Sequence, residues 1–397
     1  MADNKDKKVL NVPALRFPEF TGEWKRIRVS DLLDFYSTNS LSWEQLEYES
    51  NEPYNLHYGL IHVGLPTLVD LTKDKLPNIK DGNVPKKYEL CKEGDIAFAD
   101  ASEDTNEVAK VVEFYNLDGK KVVCGLHTIH GRNNKGQTSK GFLGYCFSST
   151  VFHNQIRRIA QGTKIYSINT RNFSEVFVGL PSKSEQHKIA TLLRLIDERI
   201  STQNKIIEDL KKLKSAIYQE MFGSLVAQTL KLGQVAEVVK GKQVNGTELL
   251  EQGAYYVMNG GTLPSGWLNK YNTEANTISI SEGGNSCGYV QYNTSPYWSG
   301  GHCYSLKILH PQETSDLYLY HFLKWQEENI MALRIGSGLP NIQKKDLLHF
   351  PVILPTITQQ NKIVLILSAI EEKVSCEISI TQYFVKQKEY LLSQLFI

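Results

Sequence analysis

One long segment occurs twice in this chain. Residues 181–222 (PSKSEQHKIATLLRLIDERISTQNKIIEDLKKLKSAIYQEMF) and 355–396 (PTITQQNKIVLILSAIEEKVSCEISITQYFVKQKEYLLSQLF) align without a gap at an offset of 174 residues. Leu180, Pro181, Gln186, Lys188, Ile189 and Ile196 meet Leu354, Pro355, Gln360, Lys362, Ile363 and Ile370. Asp197, Glu198, Lys212, Lys214 and Phe222 meet Glu371, Glu372, Lys386, Lys388 and Phe396. A repeat of this length implies two similar modules, each closed by one copy of the segment, and a chain built to grip something at two places. Apolar residues recur at 4,3 spacing, as Ile189, Leu193, Ile196, Ile200, Ile207, Leu210, Ile217 and Met221, then as Ile363, Leu367, Ile370, Val374, Phe384, Leu391 and Leu395. That seam predicts two helical rods of about 60 Å in a coiled coil. Gln203 with Glu377, and Lys214 with Lys388, interrupt it at matched places, either fixing register or facing water. Ser182 with Glu185, and Thr356 with Gln359, fit a capping box behind Pro181 and Pro355.

The rest of the chain divides around the rods. The reading is a tail and lead-in at 1–24, a module at 25–181, a helical segment at 182–223, a second module at 224–355 and a second helical segment at 356–397. Within the modules, short alternating apolar runs sit between Gly and Asn clusters, which predicts strands. Lys92-Glu93-Gly94-Asp95 reads as a turn into a strand at Ile96–Ala99, with its counterpart at Ile278–Ser281. Helices are expected near 147–160 and 317–333. The fold class is α+β: two mixed α/β modules separated by two long helices in an antiparallel coiled coil.

Composition and motifs exclude most chemistry. Net charge is +1, so no basic surplus marks a nucleic-acid binder, though a local basic face stays open. The six cysteines have spacings of neither a zinc site nor a disulfide framework, and read as reduced core residues. No metal site is assigned. The polar N-terminus and the lack of a long apolar run predict a cytoplasmic protein with no membrane partner. No GxxxxGK[ST], GxSxG or HExxH occurs. Ser295-Pro296-Tyr297-Trp298 lacks the second proline and the glycine loop of an amino-methyltransferase. The acids Glu103, Asp104 and Glu107 near Lys110 read as a solvated loop. His127 and His302 match at an offset of 175 and fit structural histidines at strand ends better than ligand contacts. A duplicated chain with no catalytic constellation reads as a recognition subunit, not an enzyme.

Leu15–Phe20 (LRFPEF), the two Leu-Pro-x-x-x-x-Gln-x-x-Ile junctions, and Gly336–Ile342 (GSGLPNI) together resemble the specificity subunit of type I restriction–modification systems. Module one departs from this pattern at 162–164, where it has Gly-Thr-Lys for Gly-Ser-Gly. The resemblance implies two target recognition domains that read the halves of a bipartite double-stranded DNA site. It implies helices that set the spacing and dock two methyltransferase subunits, with restriction subunits joining them. S-adenosylmethionine, ATP and Mg belong to those partners, and no cofactor to this chain. Candidate phosphate ligands are Arg132, Lys135, Arg157, Arg158, Lys164 and Arg171 in module one, and Lys270, Arg334, Lys344 and Lys345 in module two. Candidate base-edge contacts are Asn133, Asn134, Asn259, Asn285, Ser286, Ser337 and Asn341. The alternative is a coiled-coil scaffold with two protein-binding modules and no DNA contact.

Overall fold

The computed structural model describes residues 10–48, 52–336, 338 and 340–397. The chain forms two compact units, residues 1–204 with 379–397, and residues 205–378. Each unit holds one module together with part of each long helix.

Unit one is built on a five-stranded sheet in the order Asp34–Tyr36, Thr128–Arg132, Ile96–Ala99, Val111–Asn116, Leu68–Asp70. All neighbours are antiparallel except the last pair. The turn before Ile96 forms as its sequence predicts: the Asp95 amide donates to the Lys92 carbonyl and the Asp95 carboxylate accepts from the Lys92 amide. A smaller sheet joins Val122–Cys124 in parallel to Tyr54–Leu56, and continues through Asn78–Ile79 to Leu46–Glu47. Lys25–Arg28 pairs with Phe177–Leu180, the strand that runs into the first long helix. The apolar core, with Phe98, Phe147, Phe152 and Phe173 fully buried or nearly so, extends to Ile189, Leu193 and Ile196 of that helix and to Leu391, Leu395 and Phe396. Glu113 is buried beside this core, and both of its carboxylate oxygens accept from the backbone amides of Gly141 and Gly144. Burial pushes its carboxyl up to about 7 against the pull of those amides.

Unit two repeats the plan with one strand fewer. Its main sheet runs Ala236–Lys240, Cys303–Ile308, Thr277–Ser281, Val290–Asn293, antiparallel throughout. Its small sheet again contains a parallel pair, Tyr255–Met258 with Trp298–Ser299. Gln228–Lys231 pairs with Pro351–Leu354, which leads into the second long helix. The helix expected near 147–160 forms as Thr150–Ile159 with a separate helix, Phe142–Phe147, ahead of it, and the one expected near 317–333 is two, Asp316–Trp325 and Glu327–Met331. In the first case Ser149 starts the new helix, its hydroxyl accepting from the Phe152 amide.

The long helices span Lys183–Gly223 and Ile357–Gln394. Within unit one Lys388 pairs with Asp197 at 2.6 Å, and within unit two Lys214 pairs with Glu371 at 2.5 Å. The offset of 174 converts one pair into the other, and each joins the first half of one long helix to the second half of the other. The lysine breaks in the apolar seam are therefore half-buried cross-helix ion pairs.

The capping boxes form only in halves. The Ser182 hydroxyl accepts from the Glu185 amide, but the Glu185 carboxylate turns to Arg16, at 2.7 and 2.8 Å, and to the Trp24 indole. The LRFPEF segment thus docks on the helix start, with Phe17 beneath the Lys188 ammonium and Glu19 paired to it. At the second helix the return bond forms from the Thr356 amide to the Gln359 side chain, and the Thr356 hydroxyl donates to that same oxygen. The repeated glutamine is the stronger anchor. Gln186 is fully buried, accepts from the Ser139 amide and donates to the Gln137 and Pro181 carbonyls. Gln360 does the same with the Ser315 amide and the Glu313 and Pro355 carbonyls.

His321 gives unit two an acid-labile core. It is buried between the Tyr218 hydroxyl, 2.7 Å from Nδ1, and Ser368. Burial lowers its pKa to about 4, opposed by Glu371 and assisted by Lys214. The unfolded chain takes up this proton near pH 6.5 and the folded chain only near 4, so stability falls as pH drops through that window. Urea midpoints of wild type against His321→Gln are expected to diverge with pH, the wild type losing on the order of 3 kcal/mol more between pH 7 and 4. Parallel pH profiles for the two proteins would refute the assignment.

Candidate nucleic-acid interface

The two modules carry one loop arrangement at the same end of the main sheet. In unit one the Asp100 amide donates to the His127 carbonyl, and the Ile168 amide to the Asp100 carbonyl. In unit two the Glu282 amide donates to the His302 carbonyl, and the Ile342 amide to the Glu282 carbonyl. Each arrangement sets a histidine and an acid on neighbouring strand ends, with a return loop crossing beside them. His127 and His302 are both exposed.

In unit one His127 has a left-handed backbone (φ 55°), a conformation few side chains adopt. Its Nδ1 lies 3.2 Å from the Asp100 carboxylate and its ring packs edge-on against Tyr58. Tyr58 lies tilted against His57 and His57 against the half-exposed Trp43, with centroid spacings of 4.6 and 4.5 Å. A ladder of aromatic rings thus leads to the sheet end. Sequence reasoning missed it, because Trp43 and Tyr58 lie in no motif; only the matched histidines pointed here.

The candidates in module one separate into two groups. Arg157 is exposed and hydrogen-bonds Asn106 in the loop that follows Asp100. Lys164 is exposed in the return loop, and Arg171 lies on the short helix just after Ile168. Arg158 is exposed beside Arg157. Asn133, Asn134 and Lys135 lie beyond the far end of the strand that follows His127, about 20 Å from it at 3.3 Å per residue. There Asn133 bonds Thr138, Asn134 bonds Asp34 and Tyr36, and Lys135 reaches the Asp31 carbonyl. They tie down the turn that carries Gln137 and Ser139 to the helix start.

Arg132 is not a surface cation. It is buried, grips Asp95 through Nε and Nη2 at 2.8 and 2.7 Å, and bonds Glu89 and the Leu90 carbonyl. Despite burial, hydrogen bonds from His130 and Arg132 hold the Asp95 carboxyl below its usual range. The run Arg132–Lys135 looks like a basic loop, yet its first member points inward because position 132 still belongs to the strand.

Module two gathers its candidates more fully. The Asn259 side chain accepts from the His302 amide, and Gly260, at φ 88°, sits where a Cβ would lie only 3.0 Å from the His302 carbonyl oxygen. Asn285 and Ser286 follow Gly283, which bridges to Asn341; Asn341 in turn pairs with Ile335, next to Arg334. Asn285, Arg334, Asn341, Lys344 and Lys345 are exposed. Lys345 stands where Arg171 stands in module one, at the offset of 174. Lys270 lies apart, just past the small-sheet strand Trp267–Leu268, 5.2 Å over the Trp298 ring and 3.7 Å from Glu248. Ser337 lies outside the described residues. No helix among the described residues is long and apolar enough to cross a membrane.

Comparison with known proteins gives this arrangement a context. The family model for the type I restriction modification DNA specificity domain matches residues 118–212 and 227–382. A protein named as a type I specificity subunit in Mycoplasma pneumoniae is 37% identical over 144 residues, covering 36% of this chain and 38% of the relative. One from Mycoplasma genitalium is 31% identical over 161 residues, covering 40% and 42%. This chain thus spans about two-fifths of the length of these two relatives. The protein named as the MjaX restriction enzyme specificity subunit of Methanocaldococcus jannaschii is 22% identical over 415 residues, covering 95% and 93%. The crystal structure of the S subunit of a type I restriction–modification system from M. genitalium shares the fold, with a TM-score of 0.66 at 20% identity over 97% of this chain and 99% of that one. Two matches to one domain model, one per module, account for the internal repeat: the chain belongs to the type I restriction–modification DNA specificity family.

Proposed function

We propose that this chain is the non-catalytic DNA-specificity subunit of a type I restriction–modification assembly, each module reading one half of a bipartite double-stranded site. The observation that carries this reading is the loop arrangement present twice, on two sheets of the same strand order, with exposed basic and amide side chains around it. Arg157, Lys164 and Arg171 in module one, and Arg334, Lys344 and Lys345 in module two, serve as phosphate contacts that position the duplex. Asn259, Asn285, Ser286 and Asn341 reach base edges. Arg132 has no such role. The helices set the half-site spacing and dock two methyltransferase subunits; restriction subunits complete the assembly in the cytoplasm. S-adenosylmethionine, ATP and Mg act in those partners.

Lys344→Ala with Lys345→Ala tests the reading in the complex with its methyltransferase. Binding to target DNA is expected to weaken about tenfold or more near physiological salt. The slope of log affinity against log salt is expected to shrink by about one to two, as each lost phosphate contact releases roughly one counterion fewer. Wild-type affinity indifferent to salt would instead point to a protein scaffold.

A further inference from the structure

The six cysteines do not behave alike. Five are buried, and two of these meet although 33 positions separate them in sequence. Cys91 lies beside the strand Val122–Cys124, its amide donating to the Val122 carbonyl. Its sulfur is 3.5 Å from that of Cys124. A ring nitrogen of His130, on the adjacent main-sheet strand, lies within 4.8 Å of both. All three residues are buried, His130 completely.

The histidine carries the second observation. Its Nε2 is hydrogen-bonded to the Asp95 carboxylate at 2.8 Å, and Asp95 is fixed in turn by Arg132. Its Nδ1 is buried with no hydrogen-bond partner among the described residues. A buried ring nitrogen left bare is costly and calls for a reason. An Asp carboxylate on one nitrogen of a histidine whose ring lies beside two sulfurs, with the other nitrogen free to ligate, is an arrangement that orients imidazole ligands toward metals.

We propose that Cys91, Cys124 and His130 form a zinc(II) site inside module one. Two thiolates and one imidazole are the donor types zinc takes. Sulfurs on a tetrahedral zinc are about 3.8 Å apart, close to the separation found here. Charge selects the ion: two thiolates neutralise a divalent cation, whereas copper(I) leaves a net negative charge in a dry interior. Binding deprotonates both thiols and releases two protons for each ion taken up. Three protein donors leave one position for a water molecule. A disulfide between the two cysteines is the competing chemistry, and it leaves His130 Nδ1 bare.

The site also has a place in recognition. Cys124 is followed by Gly125, Leu126 and the exposed His127, and its carbonyl accepts from both the amide and the side chain of Asn39. Zinc would fasten the small sheet to the main sheet where the loop arrangement of module one begins.

The full chain, purified under reducing conditions and stripped of metal, is titrated with zinc and followed by native mass spectrometry. About one zinc per chain is expected, with a rise in the thermal midpoint and loss of two reactive thiols. Cobalt(II) is expected to give an intense near-ultraviolet thiolate charge-transfer band. Cys91→Ser and Cys124→Ser are expected to lose the ion and the band, and Cys146→Ser, a buried cysteine outside the cluster, to keep both. Three results overturn the proposal: a folded wild type that takes up no zinc, zinc retained in both cluster variants, or a mass deficit of two hydrogens locating a Cys91–Cys124 disulfide in the reduced preparation. The first is read on wild type, so it stands even where a variant fails to fold.

Discussion

Exchanging residues 25–180 for the first module of another family member is expected to rewrite one half of the methylated sequence and leave the other half intact. Unit two contains its own main sheet, loop arrangement and core, and none of these includes a residue from 25–180. The exchange must respect what module one offers the helices. Ser139 and the Gln137 carbonyl receive Gln186, the Tyr145 hydroxyl bonds Asp197 at 2.8 Å, and Phe142 packs against Phe396. A donor module lacking these groups is expected to lose stability before it loses specificity. Sequencing of methylated bases in DNA exposed to the reconstituted chimaera decides the matter. A change in both half-sites would show that the modules do not read independently, and unchanged methylation would show that module one does not read at all.

The largest effect on stability is expected at the repeated glutamine. Gln186→Leu keeps the side chain's approximate volume but leaves the Ser139 amide and the Gln137 and Pro181 carbonyls without their partner. Gln360→Leu does the same to the Ser315 amide and the Glu313 and Pro355 carbonyls. Each substitution is expected to cost about 2–4 kcal/mol, since a buried polar group stripped of its partner loses more than an average hydrogen bond contributes. Lys362→Ala, an exposed neighbour in the same helix, is expected to cost under about 0.5 kcal/mol. Chemical denaturation of the three variants provides the comparison, and leucine variants no weaker than Lys362→Ala would mean that the clamp is not holding the helix start.

The rods were legible because a 4,3 apolar period sustained over many turns fits a long paired helix and little else, and because the second copy keeps the same period in the same register. The strand before each rod and the turn at Lys92–Asp95 were legible for similarly local reasons. What stayed hidden depends on contacts distant in sequence. Glu185 fits a capping box by spacing, yet Arg16 lies 169 positions away and takes its carboxylate. Arg132 resembles a surface cation until Asp95 and Glu89 are brought against it. The Cys91–Cys124 approach has no signature at all, since a β-bridge between Leu90 and Val123 creates it. The loop arrangement showed itself only as two histidines at a similar offset. Its acid partners, Asp100 and Glu282, are related by a different offset because module one carries extra chain between its strands.

The two ion pairs across the helices bear on how such a chain changes over generations. A half-length chain that paired with itself would have encoded both lysines at one gene position and both acids at another. A single nucleotide change at the lysine codon would have removed both bridges in one step. Once the halves are fused, Lys214 and Lys388 have separate codons, as do Asp197 and Glu371, so a lesion in one leaves the other bridge to hold the helices while a compensating change arises. The aspartate facing Lys388 and the glutamate facing Lys214 show what that independence permits: the two acids differ in length while each carries the same charge.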